Sequence, residues 1–387
     1  MLNSKGGRHN QYRCIWLCNF YMNQVCRTLD IKVDNKIAYE IRIEQDYSHL
    51  PEILQSLGLQ DRKFMIISDS MVGKLYAKGI AEILQPMAKS VHTYLFPAGE
   101  KSKNLDTVKD CYEQLIQEGF DRKDILIALG GGVVGDLTGF VAATYLRGVR
   151  FIQLPTSLLS MVDSSIGGKT GVDFNDYKNM IGAFYQPLLV YMNLSVLQSL
   201  STNQYYSGMS EIIKHGLIKD QSYYSWIRDH IEQIKAKEYP ILAEMIYRSC
   251  QIKKNIVEED PKEAGVRALL NFGHTIGHSI EKLKNFNLLP GECIAIGMAS
   301  AGYISHKRKF INSETYEDIK HILQAFYQPV TVSGLQENEV FETTKLDKKM
   351  DAGQIKFILL KQIGEAVIDT TVSEEEMREA IKSILTQ

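Results

Sequence analysis

Residues 124–148 read DILIALGGGVVGDLTGFVAATYLRG, an apolar run of strand length that meets three successive glycines and passes at once into a helical pattern. Strand, tight glycine turn and helix in that order form the unit from which parallel α/β sheets are built. The flanking chain repeats the theme. FMIISD at 64–69, VHTYLF at 91–96 and FIQLPTSLL at 151–159 read as further strands, with helical periodicity between the first two and again near 104–118. TLDIKVDNKIAYEIRIE, from Thr28, alternates apolar and polar residues on both sides of Asp34-Asn35, which predicts a β-hairpin, and a helix-like stretch follows at 50–57.

An α/β domain with a mostly parallel sheet is therefore expected over 28–190. Beyond it, amphipathic helical patterns take over at 204–219, 221–236, 240–258, 271–284 and 292–308. They predict an all-helical C-terminal domain over 191–387, relieved by a small hairpin near 355–370. With no repeats, low-complexity tracts or Pro-rich linkers, the two domains should pack closely around a shared cleft.

Charge narrows the function. The 387 residues carry 44 basic and 46 acidic side chains, well interspersed, so no basic footprint for nucleic acid or an anionic membrane stands out. Any phosphate must be bound locally. Cys14, Cys18, Cys26, Cys111, Cys250 and Cys293 form no CxxC pair, which fits a reducing cytoplasm. Near the N-terminus, Lys5, Arg8 and Arg13 precede the apolar run CIWLCNFYM at 14–22, which is too short for a span and lacks a small-residue cleavage pattern. Residues 1–27 are expected to be a disordered extension, or to lie upstream of a true start near Met22.

Three stretches carry chemistry. Gly130, Gly132 and Gly135 satisfy G-x-G-x-x-G, letting the backbone approach a pyrophosphate at a helix N-terminus, although a ligand-free tight turn would need the same glycines. The acid usual about 20 residues on is missing, so the standard dinucleotide arrangement is not supported; Asp69, ending an earlier strand, could serve the ribose instead. VDSSIGGKTGVDFNDYKN at 162–179 reads as a glycine-rich loop whose Asp163, Lys169, Lys178 and Asn179 suit a phosphorylated polyol, or simply a solvated loop; Arg147 is expected to add a cation near the same strand ends. In NFGHTIGH, His274 and His278 share a helical face. Thr275 stands where a zinc protease carries Glu, and two histidines are too few for a catalytic zinc. Glu211 in GMSEIIKHG, with Lys214 one turn later, is a plausible addition; ordinary core or surface histidines are the alternative.

Taken together, GGGVVGDLTGFVAATYLRGVRFIQLPTSLLSMVDSSIGGKTGV, KNMIGAFYQP, SGMSEIIKHGLI, GVRALLNFGHTIGHSIE, GECIAIGM and LDKK, in this order from about 28 to 385, resemble the 3-dehydroquinate synthase family of sugar-phosphate cyclases. The resemblance implies an NAD-binding α/β domain, a helical domain holding a divalent metal (Zn or Co), and a homodimer. It also implies conversion of 3-deoxy-D-arabino-heptulosonate 7-phosphate to 3-dehydroquinate and phosphate. By motif it assigns Asp69, Glu100, Lys103, Gly131, Gly132, Gly135, Asp136, Thr156 and Ser157 to NAD, Ser157 replacing a usual threonine with its hydroxyl kept. Lys169 and Lys178 are shared between cofactor and substrate. Asp163, Asn179, Arg147, Lys214, Lys253, Arg267, Asn271, His278 and one lysine of Lys348-Lys349 are assigned to substrate or its phosphate, orienting and stabilising while the phosphate acts partly as its own base. Glu211 and His274 are assigned to metal.

The family's third metal ligand is a histidine directly before the Gly-Glu matching Gly291-Glu292, where this chain has Pro290. Asp260-Pro261 replaces a usual Asp-Glu, and Asn193 a common Asp. Pro290 predicts an impaired or rebuilt metal site, with water, His278, Glu292 or substrate oxygens completing the shell. It also motivates an alternative, a catalytically retired NAD-binding homologue. A related cyclase acting on another sugar phosphate, or a metal-dependent polyol dehydrogenase, is a further alternative; the intact VDSSIGGKTGV and KNMIGAF stretches argue against the cyclase.

Overall fold

The computed structural model describes residues 26–386 apart from 176, 286 and 349–354, and the side chains of 347 and 348 are also outside the description. The expectations for 1–25 and for Lys348-Lys349 therefore lie outside the described residues.

Seven strands form the main sheet: β1 (Arg27–Val33), β2 (Lys36–Glu44), β3 (Lys63–Asp69), β4 (Ser90–Phe96), β5 (Ile125–Gly130), β6 (Arg150–Pro155) and β9 (Leu189–Asn193). Their order is β1-β2-β9-β6-β5-β3-β4, and every pairing is parallel except β1 with β2. The exception is the predicted hairpin. Asp34 and Asn35 both take positive φ, as a two-residue turn between twisted strands demands.

Both faces of the sheet are covered, as a parallel sheet requires. Alternate residues of β5 split between two cores: Leu126 and Ala128 pack with helices Leu105–Gln117 and Gly132–Thr144, whereas Ile125, Ile127 and Leu129 face the other side. That second core runs on without a break into the helical half, through Ile212, Ile246, Ile276 and Ile296. Helices Thr202–Lys219, Tyr239–Glu259, His274–Leu283 and Pro290–Lys307 build it, with Ser313–Ala325, Glu337–Lys348 and Glu374–Ile384 packed around. The C-terminal half is not purely helical: β11 (Phe357–Gln362) and β12 (Glu365–Asp369) form the expected small hairpin, and β10 (Val332–Ser333) pairs with β13 (Leu385–Thr386).

One reading is corrected. The stretch expected to be a glycine-rich loop is a π-turn, Ser160–Ser164, followed by a second hairpin, β7 (Lys169–Phe174) with β8 (Tyr177–Phe184). Gly171 and Gly182 pair across it so closely that a Cβ on either would meet a backbone oxygen, at 2.7 and 2.3 Å. The segment is poor in apolar residues because one side of it lines a cavity rather than a core.

Candidate active site

The strands end where chemistry is possible. In open parallel sheets ligands bind beyond the C-terminal strand ends, and there the chain places Asp69 after β3, Glu100 and Lys103 after β4, the glycine turn after β5, and Thr156 and Ser157 after β6. Helix Gly132–Thr144 starts at Gly131 with no side-chain cap, so its first amides are left to an incoming anion. A Cβ on Gly132 would lie 3.2 Å from Ser164 Oγ, a tight contact that glycine avoids. Gly135 instead faces the sheet, where a Cβ would meet Gln153 at 3.2 Å. Asp69 Oδ1 accepts from the Met71 and Val72 amides at 2.8 and 2.9 Å, which fixes its rotamer at the sheet edge. These residues fit a dinucleotide.

Lys103 joins this region to the next. It is buried, and its Nζ donates to Asp136 at 2.6 Å and to Asn179 on β8 at 2.5 Å. Burial by itself would lower its pKa, but Asp136 and Glu100 reverse that and raise it, so the ammonium is charged.

Between sheet and helices lies a cavity of about 590 Å³. It gathers Asp136, Asp163, Lys169, Asn179, Lys214 and Lys253 with Arg267, Asn271, His274 and His278, residues drawn from both halves of the chain. Lys253 Nζ donates to the Asp163 carbonyl at 2.7 Å and to its carboxylate. Burial would raise the Asp163 carboxyl, yet Lys253 and Lys214 overcome it and hold the group well below the usual carboxylate range. Arg267, 2% exposed, donates to the Pro261 carbonyl at 2.8 Å, while Asp260 accepts from the amides of Ala264, Gly265 and Arg267. The Pro261 departure is thus harmless to this contact, because the backbone oxygen makes it. Asn193 is equally accommodated: its Oδ1 accepts from Ser195, a role an Asp would also fill.

Two carboxylates in the site escaped the sequence reading. Glu263 pairs with Lys169 and accepts from Asn271 Nδ2 at 3.1 Å. Glu281, on the His274 helix, pairs with Lys178 at 2.8 Å and so ties the β7–β8 hairpin to the helical half. Each sits in an acid-and-lysine run that reads as a solvated face; only the i,i+3 spacing of Glu281 from His278 hinted otherwise.

The placement of Arg147 near these strand ends is corrected. The residue is exposed and lies just before β6, at the N-terminal edge of the sheet, because helix Gly132–Thr144 carries the chain away from the glycine turn; the adjacent Leu146 carbonyl accepts from Arg122, just before β5. Arg147 does not line this cavity.

Both expected metal ligands are neighbours of Lys214. Glu211, 1% exposed, lies behind the cavity wall and pairs with Lys214. His274 faces the cavity with its Nδ1 3.3 Å from the Phe272 carbonyl, and its ring is 5.0 Å from that of His278. Burial first, then Lys214 and His278, lower the His274 pKa well below its ordinary value, so the ring is neutral, the state a ligand needs. Pro290 opens helix Pro290–Lys307 and has no donor atom. Among the described residues no group of three or more His, Cys, Asp or Glu is placed to hold a metal ion. The donor set therefore does not fit a three-ligand protein site.

A glycine-turn sheet facing helices across a cation-lined cavity is the architecture of an enzyme that handles an anionic ligand beside a dinucleotide. The family profile described as 3-dehydroquinate synthase N-terminal matches residues 93–207, and 3-dehydroquinate synthase C-terminal matches 208–350. The chain belongs to the 3-dehydroquinate synthase family. It is 42% identical to the 3-dehydroquinate synthase of Acetivibrio thermocellus over 88% of this chain and 94% of that one, and 39% identical to that of Ruminiclostridium cellulolyticum over 90% and 96%. Among solved structures, 2-deoxy-scyllo-inosose synthase complexed with carbaglucose-6-phosphate, NAD⁺ and Co²⁺ superposes with a TM-score of 0.83 at 25% identity, covering 93% of this chain and all of that one. The fold extends to NADH-dependent butanol dehydrogenase A from Thermotoga maritima, with a TM-score of 0.63 at 15% identity over 88% of this chain and 96% of that one.

Proposed function

We propose that the chain is a working 3-dehydroquinate synthase, a phosphorus–oxygen lyase that turns 3-deoxy-D-arabino-heptulosonate 7-phosphate into 3-dehydroquinate and phosphate. The observation that carries the reading is the convergence of Lys169, Lys253, Arg267 and Lys214 on one cavity with Asp163, beside a glycine cradle suited to a dinucleotide. The relatives of about 40% identity support it over the sibling cyclases and the retired homologue.

The glycine turn with Asp69, Asp136, Thr156 and Ser157 would hold NAD⁺, which would supply reversible hydride transfer at a ring carbinol, so that the substrate could lose phosphate and then open and reclose its ring by an aldol step. The chain supplies everything around that exchange. Lys253 and Arg267, both buried, and the more exposed Lys169 are donors for phosphate and carboxylate oxygens. Asp163, held ionised by its lysines, accepts from substrate hydroxyls. Asn271 and His278 line the same cavity and orient the ring. Lys103 and Asp136 fix the glycine-turn helix to β8, and with it the distance between cofactor and substrate.

Glu211 and His274 would hold a divalent cation, and no step above is derived through it. The free thiols of Cys26, Cys111, Cys250 and Cys293 support a reducing compartment, for which we propose the cytoplasm; among the described residues no helix is long and apolar enough to cross a membrane. A homodimer is proposed from the family resemblance alone.

The test is to mix the purified protein with NAD⁺, Co²⁺ or Zn²⁺ and the heptulosonate phosphate, and to follow phosphate release. Release with formation of 3-dehydroquinate is expected. No release at any metal concentration, with NAD⁺ still bound by calorimetry, would support the retired homologue.

A further inference from the structure

Ser157 stands against the glycine turn: a Cβ on Gly131 would lie 3.6 Å from its Oγ. It also heads a short helical turn that begins at Leu158 and runs through Ser160–Ser164, closed by the Met161 amide donating to the Ser157 carbonyl at 3.0 Å. At the far end of that turn Asp163 and Ser164 line the cavity, and Ser164 Oγ closes on Gly132. One turn of chain therefore touches the glycine turn at both ends.

A serine hydroxyl alone is a loose fixture. With a single heavy atom on Cβ, three staggered wells are open to it, and only one sets Oγ in a given place. Ser160 removes that freedom. Ser157 Oγ accepts from the Ser160 amide at 3.2 Å and donates to Ser160 Oγ at 2.9 Å. In return Ser160 Oγ accepts from the Ser157 amide at 3.2 Å and donates to the Ser157 carbonyl at 2.8 Å. This is the reciprocal geometry of a capping box, with serine in the position where Glu or Gln is usual. Ser160 is 2% exposed, and its one proton and two lone pairs are all engaged, so it has nothing left to offer a ligand. What it does, it does through Ser157.

We propose that Ser160 is a positioning residue of the cofactor site, whose hydroxyl fixes the rotamer of Ser157 so that the Ser157 hydroxyl is set against the glycine turn before NAD⁺ arrives. Pre-organisation of this kind appears as affinity, because the ligand no longer has to order the group it meets. Without the Ser160 side chain, only the bond from the Ser160 amide would still hold Ser157 Oγ. A β-branched residue at 157 would need less help, since its branch narrows the choice of χ1. This inference rests on the functional reading above and deepens it.

The experiment measures NAD⁺ binding by calorimetry to the full-length protein stripped of cofactor, so that turnover plays no part. Ser160→Ala is expected to weaken NAD⁺ binding about three- to tenfold, and Ser157→Ala by at least as much. The two should not add: the protein carrying both alanines should bind NAD⁺ like Ser157→Ala alone. Ser157→Thr placed in the Ser160→Ala background should recover most of the lost affinity, which no general loosening of the fold would allow. Wild-type affinity in Ser160→Ala, full additivity of the two alanines, or no recovery with threonine would each overturn the inference alone. Failure of the wild type to bind NAD⁺ would instead overturn the functional reading beneath it. If Ser160→Ala does not fold, Ser160→Cys, whose thiol is a weak donor and acceptor, takes its place with the same expected loss.

Discussion

Glu263 holds Lys169 in the wall of the cavity, so this cation is occupied by a carboxylate of the same chain. A phosphorylated ligand has to take the place of Glu263 on Lys169. Removing the cation should therefore act on binding: Lys169→Met is expected to lose a charge-assisted contact of about 1.5–3 kcal/mol, raising KM roughly 10- to 150-fold with a smaller change in kcat. Steady-state kinetics of phosphate release check the split, and an equal fall in kcat would place Lys169 in the chemical step.

The same lysine sets an alkaline limit. Its side chain keeps 52% of its exposure yet stands within the concave wall, and burial there, with Arg267 and Lys253 nearby, pushes its pKa down to about 8. Below that pH the ammonium is present; as pH rises through it the charge is lost, so KM is expected to climb above about pH 8. Lys169→Arg, which stays protonated throughout, should flatten that limb of the KM profile. Glu263→Gln, by removing a counter-charge, should move the inflection lower.

The β7–β8 hairpin depends on two glycines for its closeness. Gly171→Ala would press a methyl group against the Ile181 carbonyl, 2.7 Å away, and neither backbone can yield without opening the pair. Overpacking of this kind costs about 1–3 kcal/mol. Denaturant unfolding should show the loss, and NAD⁺ affinity should fall with it, since β8 carries the Asn179 that receives Lys103.

Far from the cavity, Arg308 fastens the last helix to the hairpin β11–β12. It donates to Asp369 at 2.9 Å and to Glu376 at 2.6 and 2.7 Å. Its hydrogen bonds lower the Glu376 pKa to about 2, from the ordinary 4.5. A carboxyl depressed in the folded state stabilises above its unfolded pKa, so this contribution is complete above about pH 4.5 and fades as pH falls towards 2. Arg308→Met is expected to cost about 1–3 kcal/mol at neutral pH and to flatten the acid limb of the stability curve between those values.

Much of this was legible in the chain itself. Strands β3 to β6 announce themselves because a sheet covered on both faces needs continuous apolar runs, and the Asp34-Asn35 turn because few residues accept positive φ. The helical half showed its long amphipathic helices, though a helix such as Glu337–Lys348, which packs on Val340, Phe341 and Thr344, has too short an apolar stripe to be seen. The hairpin at Lys169–Phe184 was misread as loop because its pattern serves a cavity, not a core. Arg147 was misplaced because its nearness to the glycine turn in sequence is undone by thirteen residues of helix. Glu263 and Glu281 stayed hidden because a carboxylate aimed at a lysine across a cleft looks, in one dimension, like any surface acid. Pro290 was the reverse case: a missing donor is visible in the letters.

The most direct test of the central claim is the ratio of phosphate released to NAD⁺ supplied, measured with NAD⁺ equimolar to protein and the heptulosonate phosphate in large excess. An enzyme that lends and recovers its hydride within each turnover should release many phosphates per NAD⁺ with no lasting rise in NADH absorbance. One equivalent of NADH accumulating without phosphate release would contradict it and point to a polyol dehydrogenase on the same fold.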